Sequence, residues 1–119
     1  MGQPVAMFEV ISRDHERAQA FYSQLFDWKV QPDPTMGGYG LVDTGSGESA
    51  VLGGIGPADG DDRGGVKIYV RVDDLDRYLD NAEKLGGKSI VPPTELPGGY
   101  GSFAIFADPD GNPVGLWAS

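Results

Sequence analysis

Gly37-Gly38-Tyr39-Gly40 and Gly98-Gly99-Tyr100-Gly101 are one four-residue sequence that occurs twice in the chain, 61 positions apart. Shifts of 60 or 61 positions also superpose Asp14 on Asp74, Arg17 on Arg77, Leu25 on Leu85, Val30 on Ile90, Pro32 on Pro92 and Gly54 on Gly115. Self-similarity at a fixed spacing indicates a repeated structural unit. The sequence therefore predicts an internal duplication.

The first half of the chain predicts a strand, a helix and three further strands. The largely apolar run 5–11 predicts a strand, with Phe8 and Val10 on one face and Met7, Glu9 and Ile11 on the other. Asp14 is typical of a helix N-cap, and the apolar spacing that follows predicts a helix that ends near Asp27. The helix stripe assigns Phe21, Tyr22 and Phe26 to the core. Further strands are predicted at 28–30, directly after 37–40, and at 50–55.

The second half repeats this order after the polar, glycine-rich stretch 56–65, which we interpret as a linker between module one, about 1–56, and module two, about 66–119. A strand is predicted at 66–72 and a helix at 74–85. Strand alternation predicts that the apolar side chains Val66, Ile68, Val70 and Val72 face this helix.

Composition excludes several classes of protein. The 119 residues, 39% of them apolar, suffice for one domain with its own core. A formal charge of −9 disfavours nucleic acid and anionic membranes as partners. Cysteine is absent, and the sequence has neither a signal-peptide pattern nor an apolar run long enough for a membrane span. We therefore expect a cytoplasmic protein.

Four segments resemble the vicinal oxygen chelate superfamily, which includes glyoxalases, bleomycin-resistance proteins and dioxygenases. They are Phe8-Glu-Val, Arg17-Ala-Gln-Ala-Phe-Tyr, Tyr69-Val-Arg-Val-Asp-Asp-Leu-Asp and Phe106-Ala-Asp-Pro-Asp-Gly-Asn. The resemblance implies an α+β fold in which two βαβββ modules form a cupped, mostly antiparallel eight-stranded sheet with helices on its convex side. It also implies that the functional site lies on the concave side.

Many members of this superfamily bind a divalent metal through the first and last strands of each module. The resemblance places the first-strand ligands at Met7 and Lys67, and the last-strand ligands at Gly54 and Gly115. None of these residues supplies the imidazole or carboxylate that such an ion requires. We therefore expect no family-type metal site and no cofactor. The single histidine, His15, is expected to be exposed on the first helix.

Strand alternation and the repeat predict a ligand pocket in the cup. Glu9 and Tyr69 are equivalent positions, as are Met7 and Lys67, so these side chains are expected to converge on one volume. The full set of expected ligand-binding residues is Met7, Glu9, Lys67, Tyr69, Arg71, Tyr39, Tyr100 and Trp117. The alternative is that Glu9 and Lys67 form an ion pair that fills a cup without a ligand. The two glycine-tyrosine segments are either mobile lids or ordinary turns.

Two functional hypotheses follow from the resemblance. The first is a metal-independent binding protein of the bleomycin-resistance kind, which holds a small aromatic or cationic molecule in the cup. The second is an enzyme of the same fold, either a metal-free isomerase or lyase that uses Glu9 and Lys67, or a glyoxalase or dioxygenase with a divergent metal site. The resemblance also predicts a homodimer. The sequence specifies neither the ligand, nor a reaction, nor the dimer geometry, nor a regulatory partner.

Overall fold

The structure of the protein is a computed structural model that describes residues 2–45, 51–60 and 62–119. Its residues cluster into two compact units. The first unit is Met7–Val66, and the second unit is Lys67–Ser119 together with the chain up to Ala6. Among the described residues, no helix is both long enough and apolar enough to cross a membrane.

The order of elements is βαβββ, and it occurs twice. The elements of the first occurrence are β1 (Val5–Ser12), α1 (His15–Phe26), β2 (Lys29–Asp33), β3 (Tyr39–Asp43) and β4 (Leu52–Pro57). Those of the second are β5 (Gly65–Arg71), α2 (Leu75–Lys84), β6 (Lys88–Glu95), β7 (Ser102–Ala107) and β8 (Pro113–Ala118). The prediction of an α+β fold with two βαβββ modules is confirmed. The predicted start of the fourth strand, at residue 50, lies outside the described residues.

The strands of each unit follow the same spatial order. In the first unit the order is β2-β3-β4-β1, and in the second it is β6-β7-β8-β5. The β2/β3, β3/β4, β6/β7 and β7/β8 pairs are antiparallel, whereas β4/β1 and β8/β5 are parallel. The parallel registers place Glu9 opposite Gly54 and Tyr69 opposite Gly115. Residues that the repeat makes equivalent therefore occupy equivalent places in the two ladders.

An aspartate caps each helix: Asp14, which the sequence predicts as an N-cap, and Asp74, its equivalent in the repeat. Asp14 Oδ1 accepts a hydrogen bond from the Arg17 backbone N–H at 3.1 Å, and Asp74 Oδ1 accepts one from the Arg77 N–H at 3.1 Å. Each bond satisfies one of the amide groups that a helix start leaves without a partner, a contribution of about 1 kcal/mol. α1 ends where predicted, because Asp27 takes a left-handed conformation with φ of 58°.

Each helix covers one face of its unit's sheet. The first core consists of Val10, Val42 and Ile55 with Phe8, Ala18, Tyr22, Trp28 and Val30 packed against it. The second consists of Val72, Leu75, Leu79, Ala104 and Leu116, with Val70 and Phe106 among the residues packed against it. The predicted helix-facing side of β1, and that of the C-terminal half of β5, are therefore confirmed.

The assignment of Phe21 and Phe26 to the core is wrong, and so is the expectation that Val66 and Ile68 face the second helix. Phe21 and Phe26 are 56% and 52% exposed, because the side of α1 that meets the sheet carries Ala18, Gln19 and Tyr22. Val66 and Ile68 are also exposed, at 69% and 42%, because α2 packs mainly against β6, β7 and β8.

The segment predicted as a linker, 56–65, is partly strand, since β4 runs to Pro57 and β5 begins at Gly65. Its described residues contact the end of β1. The Ala58 N–H donates to the Ser12 carbonyl at 2.9 Å, and Arg13 Nη1 donates to the Asp62 carbonyl at 3.1 Å. These bonds attach the segment to the first unit.

Candidate functional site

The face of each sheet that points away from its helix carries the predicted site residues, and we call it the open face. In the first unit, Met7 and Glu9 alternate along β1 with the core-facing Phe8 and Val10. In the second, Tyr69 and Arg71 alternate with the core-facing Val70. The predicted alternation therefore holds for Met7 and Glu9 on β1 and for Tyr69 and Arg71 on β5.

A hydrogen bond joins two of the predicted residues on the open face of the first unit. Tyr39 Oη donates to Glu9 Oε2 at 2.6 Å. Glu9 is only 8% exposed although it lies on this face, so its carboxylate is largely removed from water. Hydrogen bonds from a neutral donor to an ionised acceptor are short, and they contribute about 1.5–3 kcal/mol. The bond fixes both side chains in one arrangement.

The ring of Tyr39 crosses two glycines of β4. A Cβ atom built on Gly54 would overlap Tyr39 Oη and the adjoining ring carbon, and one built on Gly56 would overlap the other side of the ring. Neither glycine has a positive φ, so the contact with the ring and not the backbone conformation requires glycine here. The last-strand position where the superfamily often carries a metal ligand is thus covered by an aromatic side chain.

The second unit has the same arrangement at the equivalent strand positions. A Cβ atom on Gly115 would overlap the ring of Tyr69, which is 7% exposed. Tyr69 also meets Phe103 edge to face, with ring centroids 6.5 Å apart. Both last-strand positions therefore combine a glycine with a tyrosine ring that lies over it, although the two tyrosines come from different strands, β3 and β5.

Contacts also join three more predicted residues of the second unit. The Arg71 guanidinium lies over the Trp117 ring, 5.3 Å from its centroid. Trp117 Nε1 donates to the Tyr100 carbonyl at 2.7 Å, which attaches the Gly98–Gly101 segment to β8. A guanidinium over an aromatic face is a favourable cation–π contact. The Tyr100 side chain itself is 41% exposed.

The structure therefore groups Glu9 with Tyr39 in the first unit, and Arg71, Trp117 and Tyr100 in the second. Met7 and Lys67 are half-buried. The convergence of Glu9 and Lys67 on one volume, the cupped shape and the choice between a ligand pocket and an ion pair stay predictions.

His15 differs from its expected position. It is half-buried, and a Cβ atom on Gly38 would lie 3.3 Å from its Nε2. It lines a cleft of about 520 Å³ together with Glu16, Gln19 and Ser23, on the helix-covered side of the first unit. The sequence pattern missed this position because the contact comes from the turn before β3 and not from the helix itself.

Sequence reasoning also missed Gln19. It is 7% exposed, and its Nε2 donates to the carbonyl oxygens of Gly38 and Ile55 at 3.0 and 2.9 Å. The available signal was a polar residue inside the stripe that Ala18 and Tyr22 place against the sheet. A polar side chain at such a position requires hydrogen-bond partners when it is buried.

The residues at the superfamily's metal-ligand positions do not fit a divalent metal ion. Met7 offers a thioether, Lys67 an ammonium group, and Gly54 and Gly115 no side chain. Tyrosine rings fill the space into which a carboxylate from either glycine position would extend. Divalent ions of the family type are held by imidazole and carboxylate groups. This donor set and its packing therefore do not match such a site.

Comparison with known proteins identifies the family. The model of the Glyoxalase/Bleomycin resistance protein/Dioxygenase superfamily matches residues 5–116, and the chain belongs to this superfamily. It is 30% identical over 108 residues to a Mycobacterium bovis protein with a glyoxylase name, covering 87% of this chain and 41% of that one. It is also 30% identical over 131 residues to an anthracycline biosynthesis protein of Streptomyces peucetius, covering 94% of this chain and 46% of that one.

The chain thus spans less than half the length of these two relatives. Among solved structures, it is similar to a methylmalonyl-CoA epimerase of Streptomyces coelicolor, with a TM-score of 0.69 and 13% identity. The match covers 98% of this chain and 94% of that one. At this identity the similarity shows the fold alone.

Proposed function

We propose that the protein binds a small organic molecule without a metal ion, on the open faces of its sheets. The observation that carries the proposal is the packing of Tyr39 over Gly54 and of Tyr69 over Gly115. At the positions where the superfamily often has a metal ligand, this chain has a glycine that is covered by a tyrosine ring. The protein is therefore expected to recognise its ligand by shape and by contact with aromatic side chains.

The aromatic side chains on these faces favour a flat ligand, and the net charge of the chain favours a positively charged one. Tyr39 and Trp117, which are half-buried, supply aromatic surface, which packs well against planar molecules. The net charge of −9 attracts cations over a longer range. The proposed ligand-binding residues are those expected from the sequence: Met7, Glu9, Lys67, Tyr69, Arg71, Tyr39, Tyr100 and Trp117.

The names of the relatives support this ligand class in part. Two of them, from Streptomyces, are named for anthracycline biosynthesis. Anthracyclines are planar polycyclic molecules with an amino sugar, which is the chemistry that the aromatic side chains and net charge favour. The glyoxylase names of other relatives suggest an enzyme, and we prefer a binding function because this chain lacks the donor set of a family-type metal site.

A fluorescence titration with doxorubicin tests the proposal. Chelator-treated protein is expected to bind this planar cation saturably, and to bind the planar anion anthraquinone-2-sulfonate more weakly. Glu9→Gln removes a negative charge from the open face and is expected to weaken doxorubicin binding about tenfold, which corresponds to about 1.4 kcal/mol. Lys67→Met is expected to weaken binding as well, because Lys67 is proposed to donate hydrogen bonds to the oxygen atoms of the ligand, and their loss outweighs the relief of charge repulsion.

Glu95→Gln is the matched control, because Glu95 is an exposed carboxylate on β6 and carries the same change of charge. It is expected to bind doxorubicin with wild-type affinity. Equal affinities in wild type, Glu9→Gln and Lys67→Met would refute the site, and the failure of both planar probes to bind would refute the ligand class. Conversion of a bound probe to a product would favour the enzyme hypothesis instead.

A further inference from the structure

The side chain of Gln19 uses both amide hydrogens to connect two segments of the first unit. Its Nε2 donates to the Gly38 carbonyl in the turn before β3 and to the Ile55 carbonyl within β4. Gln19 is the buried residue of α1, and it is 93% removed from solvent, since its exposed fraction is 7%. The hydrogen bond to Ile55 is buried and therefore protected from competition by water, and the one to Gly38 is partly buried.

These two carbonyl groups flank the Tyr39 site. Gly38 directly precedes Tyr39, and Ile55 lies between the two glycines that the Tyr39 ring crosses. The turn is also closed by the Gly38 N–H, which donates to the Asp33 carbonyl at 3.0 Å. A Cβ atom on Gly40, directly after Tyr39, would lie 2.7 Å from Gln19 Nε2. The amide of Gln19 thus contacts the backbone on both sides of Tyr39.

The equivalent helix position of the second unit cannot make this connection. The residue equivalent to Gln19 is Leu79, which is buried at 6% exposure and has no group that can hydrogen-bond to a turn. The equivalent segment, Gly98–Gly101, is bonded instead through the Trp117 indole, and its Tyr100 is 41% exposed. The same four-residue sequence therefore has two different supports, and the one with Gln19 places its tyrosine over the strand glycines.

We propose that Gln19 is a positioning residue for Tyr39. Its hydrogen bonds to the Gly38 and Ile55 carbonyl groups fix the position of the turn relative to β4. In this position Tyr39 Oη lies within hydrogen-bond distance of Glu9. The first glycine-tyrosine segment is then a fixed turn and not a mobile lid. The effect on ligand binding rests on the proposed function, whereas the placement of Tyr39 does not. A Tyr39 side chain that is already fixed loses less conformational entropy when a ligand binds.

The test uses ¹⁹F NMR of protein labelled with 3-fluorotyrosine, in which Tyr39→Phe assigns the Tyr39 signal among the five tyrosines. Gln19→Met keeps the length of the side chain and removes both donors. It is expected to move the Tyr39 signal toward that of free fluorotyrosine and to leave the Tyr69 signal in place. Leu79→Ala is the control, because it lowers stability from the equivalent helix position without touching the turn. It is expected to leave the Tyr39 signal unchanged.

Doxorubicin affinity supplies a second readout. Gln19→Met and Tyr39→Phe are each expected to weaken binding about fivefold, and the double variant is expected to bind no worse than Tyr39→Phe alone. An unchanged Tyr39 signal in folded Gln19→Met, or losses that multiply in the double variant, would overturn the proposal. If Gln19→Met does not fold, Gln19→Asn replaces it, since its shorter amide cannot reach both carbonyl groups. If wild type binds no probe, the proposed function fails and the ¹⁹F comparison alone decides the role of Gln19.

Discussion

Replacement of Gly54 by alanine tests the packing of Tyr39 most sharply. The new methyl group would overlap Tyr39 Oη and the adjoining ring carbon, so the ring has to leave its place and its hydrogen bond to Glu9 is lost. Overpacking costs about 1–3 kcal/mol, and the loss of a hydrogen bond to a carboxylate costs about 1.5–3 kcal/mol. Because a displaced Tyr39 regains hydrogen bonds to water, we expect a total loss of about 3 kcal/mol in the free energy of unfolding.

This loss converts into a shift of the melting midpoint. At about 2.1 cal/mol/K per residue, the 119 residues give an unfolding entropy of about 0.25 kcal/mol/K, so the midpoint should fall by about 12 °C. Circular dichroism melts and urea titrations measure the change. In a Tyr39→Leu background the ring is absent, and Gly54→Ala should then cost less than about 1 kcal/mol. An equal cost in both backgrounds would refute the proposed contact.

Two further predictions concern the second unit. Trp117→Phe removes the Nε1–H donor to the Tyr100 carbonyl. We expect the free energy of unfolding in urea to fall by about 1 kcal/mol and proteolysis within 98–101 to become faster. Unchanged proteolysis would contradict the role of the indole. Asp108 has a pKa below its usual value because the Asn112 side-chain amide donates to it, as do backbone amides of Asn112 and Asp110. Its stabilising contribution is therefore present above the unfolded-state pKa of about 3.9 and is lost as pH falls through the lower folded-state pKa. The melting midpoint of Asp108→Asn should fall less steeply than that of wild type below about pH 4, and parallel curves for the two proteins would contradict this account.

The sequence predicts the elements of this fold well because the signals are local. Asp14 and Asp74 cap their helices through hydrogen bonds to amides three residues ahead, so the cap is visible in a short stretch of sequence. The alternation around Val10 and Val72 likewise follows from strand geometry alone. The repeat then supplies the order of elements twice.

The wrong assignments depend on which strands a helix covers, and periodicity does not encode this. Phe21 and Phe26 belong to an apolar stripe wider than the surface that α1 buries. Val66 and Ile68 alternate correctly, yet α2 packs mainly on β6, β7 and β8. Both errors arise because tertiary contacts override a correct local pattern.

The candidate site was predicted in part. The family resemblance identified Gly54 and Gly115 as positions without a ligand side chain, and strand alternation placed Glu9 and Tyr69 on the open face. The Tyr39 ring on β3 packs against Gly54 on β4, and the Gln19 amide on α1 donates hydrogen bonds to the turn before β3 and to β4. These contacts join residues that are far apart in the sequence, so no local pattern predicts them.

The central claim is that tyrosine rings occupy the places of the metal ligands and that binding needs no metal. A thermal melt of chelator-treated protein, alone and with Ni²⁺, Zn²⁺, Mn²⁺ or Fe²⁺, tests it most directly, because an ion that binds only the folded state raises the melting midpoint. The account predicts the same midpoint with and without each ion. A saturable rise with any of them, retained in a His15→Ala variant, would contradict it and favour a metal-dependent enzyme.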